Sequence, residues 1–283
     1  MGRQTMQTSL QTELEVAKRV AREAGKIVMA SYSRIIDADI DEKGSNDYVT
    51  KVDHASQLAI VNGLRRAFPD DFIVAEESLA PEVNAGRDPR GRRWYIDPLD
   101  GTTNYIHAYP VFAVTLALEI DGRLMVAVTF APRDGELFHA VRGQGSFMND
   151  APIHVSRIHD HRRILLGTGF PFRARHLLDI YLESFAYFFN RARGVRRGGA
   201  AALDLAYVAA GRLDGFWELT LSPWDIAAGV LLIEEAGGSV TDFFGGNAYL
   251  ETGHLVATNG LLHEWMVDGV ASVFPRDGDY SKP

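Results

Sequence analysis

The sequence predicts a mixed fold of helices and strands, α/β or α+β, with two lobes in one continuous unit. Three observations carry that prediction. Apolar residues recur at helical spacing ahead of Pro69, strand-like runs dominate from Phe72 to Val141, and helices alternate with short strands after Ile164. No fixed-period repeat, low-complexity tract or linker interrupts the chain. One domain is therefore expected over residues 1–275, with lobes at about 10–155 and 156–275, followed by a loose polar tail at 276–283.

The elements follow in order. Thr12-Glu13-Leu14-Glu15 reads as a capping box with Thr12 at the N-cap, and Leu14, Ala17, Val20, Ala21, Ala24 and Val28 then mark one buried helical stripe. The polar segment 37–47 reads as a loop. Leu58, Val61, Leu64 and Phe68 recur helically until Pro69 stops the second helix. Phe72-Ile73-Val74-Ala75 is a strand that runs into Glu76-Glu77-Ser78, and the Gly-, Pro- and Arg-rich stretch 81–93 is an exposed excursion. Trp94-Tyr95-Ile96 is a short strand that delivers Asp97, and Pro98 is expected to forbid further pairing and turn the chain. Segments 111–120 and 124–130 flank Asp121-Gly122-Arg123 as a hairpin, with 136–141 extending the same sheet. Beyond these, strands are expected at 164–166, 216–218, 239–241 and 255–257, and helices at 177–189, 200–210 and 226–236. Gly211 and Gly237-Gly238 close the last two helices.

Composition narrows the chemistry. With 283 residues, 46% hydrophobic and 23% charged, the chain has material for a substantial core. It has no Cys, which excludes disulfides, thiolate nucleophiles, Cys-ligated zinc and Fe–S clusters. A formal charge of −8 argues against broad nucleic-acid affinity. The first residues carry no apolar run of signal-peptide length and position 6 is Met, outside the myristoylation pattern, so a soluble, cytoplasmic protein without membrane contact is expected. Nine His residues show no HExxH spacing, and neither GxxxxGK[ST] nor GxGxxG occurs, which disfavours zinc catalysis, a P-loop and a dinucleotide fold. Arg191, Arg193, Arg196 and Arg197 form a basic run, read as a solvated face or subunit contact more readily than an RNA patch.

The chemistry concentrates in Ile96-Asp97-Pro98-Leu99-Asp100-Gly101-Thr102-Thr103-Asn104. An apolar strand brings Asp97 to its C-terminal end, where mixed sheets place ligands. A turn across Asp97 and Asp100 can aim two carboxylates at one point, with the Leu99 carbonyl between them, as hard cations such as Mg²⁺ prefer. Gly101-Thr102-Thr103 would offer N–H groups and hydroxyls beside them, as a phosphate seat requires. Each piece also has a structural reading. Asp53 and Asp225 can serve as helix caps, Glu76-Glu77 as a solvated strand end, Glu218 as a strand-end residue and Lys43 as surface charge.

This string resembles the signature of the inositol monophosphatase family, with Pro110 as the proline that follows. Three further blocks in family order resemble it: Asp47-Tyr48-Val49-Thr50-Lys51-Val52-Asp53, Ala75-Glu76-Glu77-Ser78 and Trp224-Asp225-Ile226-Ala227-Ala228-Gly229. Gly167-Thr168-Gly169-Phe170-Pro171-Phe172-Arg173 and Arg196-Arg197-Gly198-Gly199-Ala200-Ala201 are similar to the bacterial suppressor (SuhB-type) branch. Against the family pattern, Ala75 stands for a Gly, Ala200 for a hydroxyl residue of some members, and Pro223 stiffens the approach to Asp225; no expected metal ligand is lost.

The resemblance implies an αβαβα layered sandwich and a Mg²⁺-dependent, lithium-sensitive phosphomonoesterase. It implies a first ion held by Glu76, Asp97, the Leu99 carbonyl and Thr102, and a second by Asp97, Asp100 and Asp225. A third, weaker ion would rest on Glu76. Thr102 with Asp53 would orient and help deprotonate the attacking water. Asp100, Gly101, Thr102, Thr103, Gly199, Ala200, Ala201 and Glu218 would contact the substrate, and Lys43 would sit over the metal mouth. The implied substrate is a small sugar-like phosphate, foremost myo-inositol 1-phosphate, with fructose bisphosphate, phosphoadenosine phosphate, NADP or histidinol phosphate as alternatives. A homodimer is implied. SuhB-type relatives add a different possibility, a protein partner of RNA polymerase and antitermination factors.

Overall fold

A computed structural model of the chain describes residues 2–35, 40–44 and 47–280, with side chains from 10–35 and 50–280. Five layers stack in the order helix, sheet, helix, sheet, helix. The outer pair is α1 (Gly2–Ser31) and α2 (Lys51–Ala67). Beneath it lies a seven-stranded sheet of β3 (Phe72–Ala75), β4 (Arg92–Asp100), β5 (Ala113–Ile120), β6 (Arg123–Ala131), β7 (Glu136–Val141), β8 (Ser146–Met148) and β9 (Ala151–Ile153), in sequence order across the sheet. Only β3 and β4 run parallel within it; the other neighbours are antiparallel.

The central layer is α5 (Ala201–Ala209) with α6 (Pro223–Glu235), which touch both sheets. The second sheet holds β10 (Leu165–Thr168), β11 (Gly194–Arg196), β12 (Gly215–Glu218), β13 (Ser239–Thr241) and β14 (Leu255–Thr258) in the order β11-β10-β12-β14-β13. Its far face is covered by α4 (Leu178–Phe189) and α8 (His263–Ala271). Two short helices, α3 (Thr102–Ile106) and α7 (Tyr249–Thr252), complete the set among the described residues, together with a hairpin of β1 (Ile40–Gly44) and β2 (Asp47–Thr50).

Burial explains the layering. Ala17, Val20, Ala21, Ala24 and Val28 on α1 are all 0% exposed, a stripe of small side chains that lets the helix lie close on β6. Each fully buried Val or Leu adds roughly 1.5–3 kcal/mol. Arg92 ties this layer to the sheet edge, bonding Glu13 of α1 at 2.7 Å and Asp71 at 2.8 Å. The α5/α6 layer is apolar nearly all round, from Leu203 to Ile233, because it is sandwiched between two sheets.

Several expectations need correction. The first helix does not start at Thr12: no breaker separates it from the preceding residues, Leu10 already belongs to the buried stripe, and α1 begins at Gly2. Leu58 points out of α2 at 61% exposure, and Ile60 takes its place in the core. Segment 37–47, read as a loop, contains β1; the side chains of Lys43 and Asp47 lie outside the described residues. Pro98 does not end its strand. β4 continues to Asp100 through a bulge opposite β5, with Asp97 facing Thr115 and Asp100 facing Ala113, since a bulge leaves one residue unpaired and spares proline the missing donor. Within the tail read as loose, Tyr280 is 8% exposed and donates to the Pro275 carbonyl at 2.6 Å.

Candidate active site

The bulge in β4 builds one wall of a cavity of about 420 Å³. Glu76, Asp97, Leu99, Asp100, Gly101, Thr102 and Thr103 line it from the first half of the chain, and Gly199, Ala200, Ala201, Glu218 and Asp225 from the second. Sequence blocks more than a hundred residues apart thus meet in one place. Asp53 stands behind the wall, 0% exposed, and reaches it through Thr102.

Four of the acidic side chains are keyed to the backbone by one oxygen each. Asp97 Oδ1 accepts from Leu99 N at 2.9 Å, which fixes the bulge. Asp100 Oδ2 accepts from Ala202 N at 2.8 Å, at the start of α5. Asp225 Oδ2 accepts from Ser222 N at 2.7 Å, and Asp53 Oδ2 from Thr50 N at 2.9 Å, each as the third residue of a capping box. Pro223 fits the first turn of α6, where no N–H is needed. The Thr102 hydroxyl lies 3.0 Å from both Asp53 Oδ1 and the Leu99 carbonyl.

Segments 101–104 and 198–200 approach closely. Gly101 has φ 89°, and a Cβ there would meet the Val111 carbonyl at 2.9 Å and Ala200 at 3.2 Å, so no other residue fits this turn. Asn104, the last residue of the signature, donates through Nδ2 to the carbonyls of Val111 at 2.7 Å and Gly198 at 3.0 Å, tying the two halves of the chain together. Gly169 leaves room for Glu218, whose carboxylate would lie 2.0 Å from an added Cβ.

The electrostatics are those of crowded acids. Burial pushes Asp97 well above the usual carboxylate range, and Glu76, Asp100 and Asp225 push it further. Asp100 is raised likewise by burial and by Asp225, against the bond from Ala202. Burial raises Asp53 and Glu218, with Arg197 opposing the rise at Glu218. Such a cluster holds protons unless a cation replaces them.

The donor set suits a hard divalent cation: four carboxylates, the Leu99 carbonyl and the Thr102 hydroxyl are all oxygen donors. His107 is the one imidazole lining the cavity, which does not suggest zinc. Among the described residues no three acidic or histidine side chains already close on a common point. Glu76 instead pairs with Arg173 at 3.3 Å.

Beyond the sequence-predicted set, the structure adds Arg173, Arg197, Phe170, Phe172, Thr168 and His107 to the lining. His107 is an exposed residue of the lining. The basic run divides: Arg197 lies over the rings of Phe172 at 4.9 Å and Phe170 at 5.8 Å, while Arg191 covers Tyr187 at 3.9 Å on α4. Glu77 is 3% exposed, not a solvated strand end, with its N–H donating to Gln57 Oε1 at 3.1 Å.

Residues 9–273 match the model of the Inositol monophosphatase family. The chain is 47% identical over 246 residues to Nus factor SuhB of Escherichia coli, covering 87% of this chain and 91% of the relative. Among solved structures it resembles the extragenic suppressor protein SuhB of Bartonella henselae, with TM-score 0.86, 37% identity and coverage of 94% and 98%. It also resembles the inositol monophosphatase of Anabaena, with TM-score 0.83, 39% identity and coverage of 95% and 98%.

Proposed function

Because the chain belongs to the inositol monophosphatase family, we propose that it is a Mg²⁺-dependent phosphatase that hydrolyses a small phosphate monoester, foremost myo-inositol 1-phosphate. The observation that supports this best is the convergence of Glu76, Asp97, Asp100 and Asp225 on one cavity beside the Thr102–Asp53 pair. Glu76, Asp97, the Leu99 carbonyl and Thr102 would hold one ion, and Asp97, Asp100 and Asp225 a second, with room on Glu76 for a third. When bound, Mg²⁺ neutralises charge on the transferring phosphoryl group and makes water a stronger nucleophile.

The chain's own residues supply the rest. The Thr102 hydroxyl donates to Asp53 at 3.0 Å, so it can accept the proton of an attacking water while passing its own to Asp53. Burial equips Asp53 for this by raising its proton affinity. Water oxygen forms the new bond to phosphorus, the ester oxygen leaves, and that oxygen takes up a proton from solvent. Glu218, with Gly199, Ala200 and Ala201 beside it, would accept and position the polyol hydroxyls. Because Ala200 carries no hydroxyl, that wall selects through shape and backbone groups. The exposed stripe Leu178, Leu182 and Phe189 on α4 would serve as the homodimer face.

Release of phosphate from a panel of myo-inositol 1-phosphate, fructose bisphosphate, phosphoadenosine phosphate, NADP and histidinol phosphate tests the reading. Turnover should need Mg²⁺ and be highest on the inositol ester. Activity confined to histidinol phosphate would overturn the substrate, and no Mg²⁺-dependent release from any of them would overturn the enzyme. The name of the E. coli relative, Nus factor SuhB, supports a second role as a partner of the transcription machinery. Binding of purified RNA polymerase by the Asp97→Asn variant separates the two: capture that survives loss of hydrolysis supports a scaffold role, and no capture leaves the enzyme alone.

A further inference from the structure

The acidic wall faces a counter-charge that comes from the other lobe. Arg173 Nη2 lies 3.3 Å from Glu76 Oε1, and the two side chains differ in freedom, at 35% and 10% exposure. Glu76 is held at its backbone, where its N–H donates to the Ile96 carbonyl at 3.2 Å. Arg173 lies in the irregular segment after β10, next to Phe172, which is 46% exposed. The other arginine of the lining, Arg197, is turned onto the rings of Phe170 and Phe172. Arg173 is therefore the arginine paired with Glu76, and at 35% exposure its side chain is partly open to solvent.

We propose that Arg173 is a displaceable counter-ion: it engages Glu76 while no divalent cation is present, and the cation must displace it to bind. This rests on the reading that Glu76 helps hold the cation. The pair then acts as a threshold on cation uptake. A guanidinium cannot lose its charge near neutral pH, so it competes with the cation under all working conditions. The apparent affinity for the cation falls by the fraction of molecules in which the pair is open. If it is closed in about 70–90% of molecules, the apparent dissociation constant is roughly threefold to tenfold weaker than the open site would give.

Calorimetric titration of metal-stripped, substrate-free protein with Mg²⁺ and with Mn²⁺ tests this, using Arg173→Ala and Arg173→Gln with circular dichroism as a check on folding. Both variants should bind the ions roughly threefold to tenfold more tightly than the parent chain. Both should also melt at lower temperature without metal and gain more on adding Mg²⁺, because the acids have lost their resident cation. Equal or weaker binding in the folded variants overturns the proposal while leaving the phosphatase reading intact. A parent chain that takes up neither ion overturns both. Should Arg173→Ala fail to fold, Arg173→Gln, which keeps more of the side chain without its charge, decides alone.

Discussion

Asp53 and Asp225 occupy the same local position on two different helices, α2 and α6. Each is the third residue of a helix, and each accepts the backbone N–H of its cap residue through Oδ2. They differ in what lies beyond. Asp53 is 0% exposed and gives its other oxygen to the Thr102 hydroxyl, whereas Asp225 is 7% exposed and lines the cavity itself. The same capping device thus holds one carboxylate behind the wall, suited to handling a proton, and one in the wall, suited to holding a cation. A cap costs the site little, because a carboxylate has two oxygens and the helix needs only one.

Replacing the charge but keeping the cap should separate these roles. Asp225→Asn retains an oxygen for Ser222 N but removes a charge that presses on Asp97 and Asp100. Turnover is expected to fall about a hundredfold or more, equivalent to ~3 kcal/mol of transition-state stabilisation, with a higher Mg²⁺ requirement. The metal-free melting temperature should rise, since repulsion among the acids is relieved. A variant that needs no more Mg²⁺ than the parent chain would remove Asp225 from the proposed ligands.

Asp53→Asn is the milder counterpart. Its amide can still serve the cap, but it can no longer take a proton from Thr102, so turnover should drop about 10–100-fold with the Mg²⁺ requirement nearly unchanged. Equal shifts in Mg²⁺ requirement for both variants would erase the distinction between the two positions. Truncating either residue to Ala removes the cap as well and should cost about 1 kcal/mol of stability in chemical denaturation.

The comparison also shows what a sequence reading can reach. Asp97 and Asp100 were legible because only Pro98 and Leu99 separate them at the end of an apolar strand, and Asp53, Glu76 and Asp225 because each sits in a block with its own pattern. The hairpin at Asp121-Gly122 was equally readable, as positive φ at both residues (49° and 77°) requires that chemistry. The full layer order came with the family resemblance; periodicity alone offered helices and strands without their stacking. Arg173 stands in the sequence only as part of a branch motif, and Arg197 as part of that motif and of a basic run. Their roles depend on which acid or ring the fold sets against them, and no local spacing encodes that. The bulge at Pro98 was missed for a related reason: proline excludes a ladder bond at its own position, but only the partner strand shows whether pairing resumes beyond it.

A third buried acid provides the control for the pair. Asp204 on α5 is 4% exposed, and burial pushes it up to about 7 from an ordinary 3.8, with Arg197 opposing the rise. It neither lines the cavity nor belongs to a capping box. Between about 3.8 and about 7 the folded chain keeps a proton that the unfolded chain has released, so stability falls across this window as pH rises. The contribution is complete below the unfolded value and is lost as pH passes through about 7. Asp204→Asn cannot ionise and should escape that loss. Its melting temperature relative to the parent chain should therefore be higher at pH 8.5 than at pH 5.5, while turnover stays within about twofold, as expected for a side chain outside the reacting cavity. A gap that does not change with pH would mean that Asp204 remains ionised throughout, held by Arg197 against the pull of burial.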